Sequence, residues 1–288
     1  MAGQIPLYSL AVDWRPPVTG DGWHSGNHPT ASVLARLLPT WRERKALGGA
    51  QAGSSGAARP PLRSWGQRIL DTLTFPLRAV TLFGGRDRWG LSSLATERFD
   101  YVQREVTGYC LDVGCGRHNR FVASILAGHG RGIDVYPFDG LTQEQLMTDP
   151  ARFPFEDESF DSVTFIADLN HIPEDLRDRE LGEAFRCLRE DGRVIVTMGN
   201  PLAEILVHRA VALYDRLFGT NHDVDAERGI REGEALFLLD SEIKERLVAA
   251  GFDGIGKKRF WTQWGLNHLL VAVKRTRQNA TRARGELA

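Results

Sequence analysis

The stretch Tyr109–Gly116, reading Y-C-L-D-V-G-C-G, constrains the fold of this chain more than any other. Cys110, Leu111 and Val113 form an apolar run suited to a buried strand. Gly114 and Gly116 let the chain turn sharply and bring bare backbone close to a ligand. About twenty residues further on, Gly132-Ile133-Asp134-Val135 gives a second short apolar strand with an acid near its end. Strand, glycine turn, helix, strand and acid is the layout that binds an adenosine-type ligand, with the second acid taking the ribose hydroxyls.

The ligand class follows from what is missing. A dinucleotide site needs G-x-G-x-x-G and a helix N-terminus facing a pyrophosphate. Here Gly116 is followed by Arg117, His118, Asn119 and Arg120, and Asp112 precedes the first glycine. A carboxylate there repels a pyrophosphate and suits a ligand carrying ammonium and sulfonium charges. With these residues the chain resembles the class I S-adenosylmethionine-dependent methyltransferases, in particular the small-molecule, type 11-like branch with L-D-x-G-C-G.

Four further segments carry the resemblance in order. Asp149–Phe155 is similar to the branch's D-A-x-x-L-P-F, and Glu158–Val163 to the signature of its fourth strand. Asn170–Pro173 is similar to the segment after that strand, and Glu183–Arg193 to E-x-x-R-V-L-x-P-G-G-x. His118 stands where the family often has a third small residue, and Glu190-Asp191-Gly192 replaces Pro-Gly-Gly. The resemblance spans residues 108–274. It implies S-adenosylmethionine as cofactor and a Rossmann-like, seven-stranded, mostly parallel α/β sheet, closed by an antiparallel C-terminal hairpin, with helices on both faces.

Composition narrows the remaining classes. A hydrophobic content of 42% supports a sizeable core. The net charge of −1 gives no global field for nucleic acid or anionic membrane, so nucleic acid is not an expected partner; a small-molecule methyl acceptor is the partner the resemblance implies. Cys110, Cys115 and Cys187 are three in number and lack metal-ligand spacing. They read as small buried hydrophobes, no metal is expected, and a reducing cytoplasm suits them. The N-terminal residues lack a charged-then-apolar signal pattern, and no run has the length of a membrane span. Oligomeric state has no signature in the sequence.

Three regions are expected. Residues 1–61 form an arm broken by proline and glycine, with one short helix over Ala31–Arg44 and a flexible Gly48–Pro61 linker. Residues 62–275 form the methyltransferase domain, and 276–288 a basic tail. Within the domain, Trp65, Ile69, Leu70, Leu73 and Leu77 recur at helical steps, interrupted by Pro76. Ser93–Val106 reads as the helix before the first strand. Trp89, Arg88 and Glu97 are candidates to cap the cofactor site, with plain packing the favoured alternative. Strands are expected at Tyr109–Val113, Gly132–Val135, Gln145–Thr148, Ser162–Ile166 and Val194–Thr197, with helices at Arg120–Ala127 and Asp175–Leu188. A helix over Ser241–Ala250, capped by Ser241, precedes the hairpin strands Gly254–Trp261 and Leu266–Val273. Asn200–Leu239 is an insertion. Its apolar stripe Leu202, Leu206, Ala210, Leu213 and Leu217 is followed by a polar loop, Gly219–Asp225, the candidate substrate lid.

Methyl transfer needs alignment, and a proton acceptor where the nucleophile is oxygen or nitrogen. The resemblance assigns Asp112, Gly114 and Gly116 to the methionine end, Asp134 to the ribose and Asp149 to the adenine amino group. Arg117 and His118 flank the loop. His171, next to Asn170 after the fourth strand, is the candidate general base, because histidine titrates near neutrality. His222 is the second candidate, while His208, Trp261 and Trp264 read as packing residues. The reading is methyl transfer to a small-molecule or glycan-type acceptor. A non-catalytic S-adenosylmethionine-binding regulatory or scaffold module is its alternative. A nucleotide oxidoreductase is disfavoured by Asp112 and the missing third glycine.

Overall fold

The computed structural model describes residues 59–81, 87–200, 216, 235 and 237–275. The arm with its Ala31–Arg44 helix, nearly all of the linker, the insertion's stripe and lid with His208 and His222, and the basic tail lie outside the described residues. Six strands form one sheet: β1 (Cys110–Val113), β2 (Gly130–Ile133), β3 (Phe160–Ile166), β4 (Leu188–Gly199), β5 (Phe252–Arg259) and β6 (Asn267–Lys274). Their order is β2-β1-β3-β4-β6-β5, parallel from β2 to β4 and antiparallel across β4–β6–β5. The helices are α1 (Trp65–Leu73), α2 (Phe75–Thr81), α3 (Leu94–Gln103), α4 (Glu174–Cys187) and α5 (Asp240–Ala249).

Side-chain alternation along the strands places a core on each face. Leu111, Val113, Val163, Phe165, Val194, Val196, Leu270 and Ala272 point to one side, where they meet Leu181 and Ala184 of α4 and Ile243 and Leu247 of α5. Cys110, Ile195 and Leu269 point to the other, against Tyr101 and Val102 of α3 and Phe121, Val122 and Leu126. The mixed sheet, its closing hairpin and the helices on both faces agree with the expected architecture.

Three local expectations are corrected. The Gln145–Thr148 strand is reduced to a single bridge between Leu146 and Asp134, so six strands rather than seven stand among the described residues. The cause is local: Thr142 and Gln145 cap each other across a tight turn, Gln143–Gln145, which uses up the run before it can extend. The Arg120–Ala127 helix is replaced by a five-residue π-type turn, Phe121–Ile125, in which Leu126 N–H reaches Phe121 O at 3.0 Å. Left-handed backbone at His118, Asn119 and Ala127 brackets it and prevents α-helical propagation. Finally, α5 starts at Asp240, not after a Ser241 cap. Asp240 is drawn into the first turn beside Lys257, its ion-pair partner, and a carboxylate there suits the helix N-terminus. Gly251, just past α5, takes φ +103° as expected of a helix-ending glycine.

The pair α1–α2 packs opposite to its sequence pattern. Its polar residues are inside: Arg78 and Asp71 are fully buried, while Trp65, Ile69 and Leu73 are exposed. The Arg78 guanidinium donates to Asp71 O, Ser92 O, Thr262 O and Glu97 Oε2. Gln263 donates to the same Glu97 oxygen at 2.7 Å. One buried arginine thus joins α2 to α3 and to the β5–β6 turn. Glu97 is therefore part of this joint, whereas Arg88 and Trp89 lie exposed.

Candidate active site

The glycine loop leaves the carboxyl end of β1 at the point where the chain's path reverses: β2 lies on one side of β1 and β3 on the other. In open α/β sheets this crevice is where ligands bind. Gly114 has φ +67°, and a Cβ on it would fall 2.0 Å from Asp168 Oδ1. Only glycine lets the loop pass so close to the segment after β3. Gly116 has φ +62°, with open space where a side chain would stand, so its backbone is bare towards the crevice.

Asp134 follows β2. Its Oδ2 accepts from Gly116 N–H and its Oδ1 from Tyr136 N–H, both at 2.9 Å. It is therefore the carboxylate that bonds to the loop backbone. A carboxylate offers about four lone-pair sites, so acceptor capacity remains for hydroxyl donors. Asp112 lies one strand over and accepts from Thr164 Oγ1 at 2.6 Å. Burial pushes its carboxyl up to about 7, with the nearby Asp134 charge adding to the effect and the Thr164 bond opposing it. Asp134 is also raised by burial, against the pull of the backbone donors of Tyr136, Gly116 and Val135.

Two further acids complete the cluster. Asp168 stands against Gly114. Glu180, on α4, is buried, and its carboxyl is pushed well above the ordinary range by burial and by the charges of Asp168 and Asp134. Neither was found from sequence. Asp168 had a usable signal, since it follows an apolar strand at the same sheet edge as Asp134. Glu180 had none, because it reads as one more charge on a polar helix. Among the described residues no group of acidic, histidine or cysteine side chains can hold a metal ion. Cys115 is buried, and its thiol is pushed up by burial first and then by the surrounding carboxylates, which disfavours the thiolate.

The remaining candidates are spread along the rim. Asp149 is exposed and its Oδ1 accepts from Ala151 N–H at 2.9 Å, a local turn. His118 takes φ +60° and packs towards Gly140, where a Cβ would meet its Nδ1 at 2.0 Å. Arg117 is half-exposed and lies 4.0 Å from Asp139. The His171 N–H donates to Asp168 O at 2.7 Å, which places it one turn from the glycine loop. Asn170 bonds Ala235 through both main chain and side chain, at 2.9 and 3.1 Å, and Leu169 and Ile172 are buried beneath. Away from the crevice, at the amino edge of β3 and β4, Arg186 clamps the segment that leads into β3. Its guanidinium reaches Phe153 O, Phe155 O, Glu183 and Asp157, and Glu183 accepts from Phe153 N–H.

A doubly wound sheet with a bare glycine loop at its switch point, ringed by carboxylates, defines an adenosine-ligand site built for positive charge. The acids suit an ammonium and a sulfonium, and the open space at Gly116 admits the ligand, so the residues fit S-adenosylmethionine. Residues 87–255, more than half of the chain, match the family model described as a methyltransferase domain. The chain belongs to that family: it is a class I S-adenosylmethionine-dependent methyltransferase. None of the curated proteins compared with it matches.

Solved structures resemble this chain at low identity. A S-adenosylmethionine-dependent methyltransferase from Thermotoga maritima is 16% identical, with a TM-score of 0.46 over 63% of this chain and 89% of its own. The 1,6-didemethyltoxoflavin-N1-methyltransferase of Burkholderia thailandensis, solved with its substrate and S-adenosylhomocysteine, is 18% identical, with a TM-score of 0.44 over 76% of this chain and 94% of its own. A S-adenosylmethionine-dependent methyltransferase from Archaeoglobus fulgidus is 12% identical, with a TM-score of 0.43 over 63% and 95%.

Proposed function

We propose that this enzyme methylates a small-molecule or glycan-type acceptor, with Asp112, Gly114, Gly116 and Asp134 holding the methyl donor. The observation that carries the donor assignment is the bond from Gly116 N–H to Asp134, which ties the bare loop to an acid with acceptor sites to spare. Bound S-adenosylmethionine supplies an electrophilic methyl group and leaves as S-adenosylhomocysteine. The chain's own part is to bind, to orient and to take a proton. Asp134 accepts the ribose hydroxyls, and Asp112 and Asp168 offset the positive charge at the methionine end. Asp149, on the rim, takes the adenine amino group once its turn opens to it.

His171 accepts the proton that an oxygen or nitrogen acceptor sheds. Its support is position: it follows Asp168 by one turn, on a loop pinned by Leu169, Ile172 and the Asn170–Ala235 bonds. The absence of a charge bias favours a small acceptor over nucleic acid. The three buried, free cysteines suit a reducing compartment, and we place the protein in the cytoplasm on that ground.

Calorimetry with S-adenosylmethionine and S-adenosylhomocysteine tests the donor site. Micromolar binding of both is expected, weakened by roughly 1.5–3 kcal/mol in Asp134→Asn. Unchanged affinity in a folded variant would remove Asp134 from the site. For the acceptor, a metabolite pool is screened with labelled methyl donor. His171→Ala then lowers turnover by about 10²–10⁴-fold at near-constant donor affinity. An undiminished rate would exclude His171 as the base.

A further inference from the structure

The α1–α2 pair shows its apolar side to solvent. Trp65, Ile69 and Leu73 lie one turn apart on α1 and are 71%, 52% and 74% exposed. Trp261 and Trp264, from the turn joining β5 and β6, extend the same face. Trp261 stands 5.7 Å from Trp65, and Trp264 donates to Thr72 O and packs on Phe75. Leu62, also exposed, continues it ahead of the helix. Monomeric surfaces rarely leave contiguous apolar area of this kind uncovered.

Charge on this face has one sign. Residues 59–78 hold four arginines, of which Arg78 is fully buried and Arg63 is paired with the buried Asp71, so Arg59 and Arg68 are the cations left at the surface; Asp71 is the single acid there, and residues 259–266 hold Arg259 and no acid. Arg68 lies with its guanidinium 4.7 Å over Trp261 and 5.6 Å over Trp65. Its Nε has no hydrogen-bond partner. The nearest outward carboxylate, Asp87, faces Arg63 at 3.9 Å and accepts from Ser93 N–H. The chain's net charge of −1 conceals this local imbalance.

We propose that this face is a membrane-surface contact, with α1 lying in the plane of an anionic lipid bilayer. An amphipathic helix with exposed leucine and isoleucine enters the boundary between headgroups and acyl chains. Tryptophans favour that boundary, where an apolar ring and a polar N–H are both satisfied. Arg59 and Arg68 at the rim meet lipid phosphates, while the outward carboxylate Asp87 is engaged by Arg63 and by Ser93 N–H. The contact is peripheral, in keeping with the absence, among the described residues, of any helix long and apolar enough to cross a membrane. It uses none of the donor-site residues and does not rest on the acceptor assignment.

The test is co-sedimentation of the full chain with vesicles of phosphatidylcholine alone and of phosphatidylcholine mixed with phosphatidylglycerol. Binding to the mixed vesicles is expected, weaker in high salt and weaker still on phosphatidylcholine alone. Ile69→Glu with Leu73→Glu lowers partitioning on the order of tenfold or more, because two insertions are lost. Both positions face solvent, so thermal unfolding and S-adenosylmethionine binding stay unchanged. Should the double variant lose its fold, Leu73→Glu alone, at the most exposed position, makes the same test. No binding to either vesicle, or equal binding by the variant, overturns the proposal. So does a concentration-dependent dimer that the variant abolishes without any vesicle binding, since the occupant is then a second copy. Vesicle binding that appears only after removal of residues 1–58 overturns it too, since the arm is then the occupant.

Discussion

Replacing Arg78 by alanine should destabilise the protein far more than a typical helix substitution. The guanidinium is fully buried and makes five hydrogen bonds to described groups, four of them to the carbonyls of Asp71 (two), Ser92 and Thr262. Glu97 is equally buried. Without Arg78 it keeps only Gln263 as a donor, and its Oε1 already has no partner. The dominant cost is that uncompensated carboxylate, because breaking a buried pair from one side costs about 3–5 kcal/mol. For a domain of this size that lowers Tm by roughly 10 °C. Urea unfolding of the purified variant measures the loss directly. Arg78→Met combined with Glu97→Gln should recover at least about 1 kcal/mol relative to the sum of the single changes, because the stranded charge is gone. A loss under about 1 kcal/mol for Arg78→Ala, or strict additivity in the cycle, would refute the view that this arginine holds α1–α2 to the domain.

The Asp112 carboxyl, raised to about 7 by burial, gives the free protein a pH-dependent stability. Between about pH 4 and 7 the native state keeps a proton on this group that the unfolded chain gives up, so the contribution of Asp112 to stability is largest below pH 4, falls on the order of 2–4 kcal/mol by pH 7, then levels off. Asp112→Asn should flatten that slope in pH-dependent urea titrations. An unaltered slope would place the titration elsewhere. Ionised Asp112 is the form that attracts a cation, so S-adenosylmethionine affinity should rise between pH 6 and 8, and more steeply than that of S-adenosylhomocysteine, which lacks the sulfonium. Parallel pH profiles by calorimetry would contradict this. Gly114→Ala should abolish donor binding, since its Cβ meets Asp168 at 2.0 Å on left-handed backbone; wild-type affinity would show that the loop has another resting place. Removal of residues 1–58 should leave a folded, donor-binding protein, because Arg59 and Pro60 still bond to Gly108 and Gln103. Aggregation of that truncation would make the arm integral.

What the sequence disclosed and what it withheld divide along a physical line. The strands of the sheet, the glycine loop and the hairpin were legible, because period-two apolar runs and glycines at β1's end answer to backbone and burial rules that act locally. Leu146 and the 121–125 turn were misread because capping by Thr142–Gln145 and two left-handed residues at His118 and Asn119 overrode propensity. The helical period of Trp65, Ile69 and Leu73 correctly gave a helix but not its orientation. Which face goes inward was decided by Arg78, whose partners Ser92, Glu97 and Thr262 come from distant parts of the chain. In the candidate site, the loop glycines, Asp112 and Asp134 lie together as their spacing suggests, whereas Asp168 and Glu180 join them only through the crossover that brings β3 and α4 alongside.

Arg186 makes three motifs that look separate in sequence into one mechanical part. The carbonyls of Phe153 and Phe155 and the carboxylates of Asp157 and Glu183 all end on the same guanidinium. The segment from Phe153 to Asp157 therefore has no hinge of its own and travels with α4, a fourteen-residue helix packed against the sheet. That segment leads into β3 and Arg186 precedes β4, so the clamp sits at the amino edge of the sheet, across the strands from the glycine loop. It acts as a fixed foot: β3, α4 and β4 are tied together at the end remote from the ligand, and the loops at the carboxyl end are free to vary without loosening it.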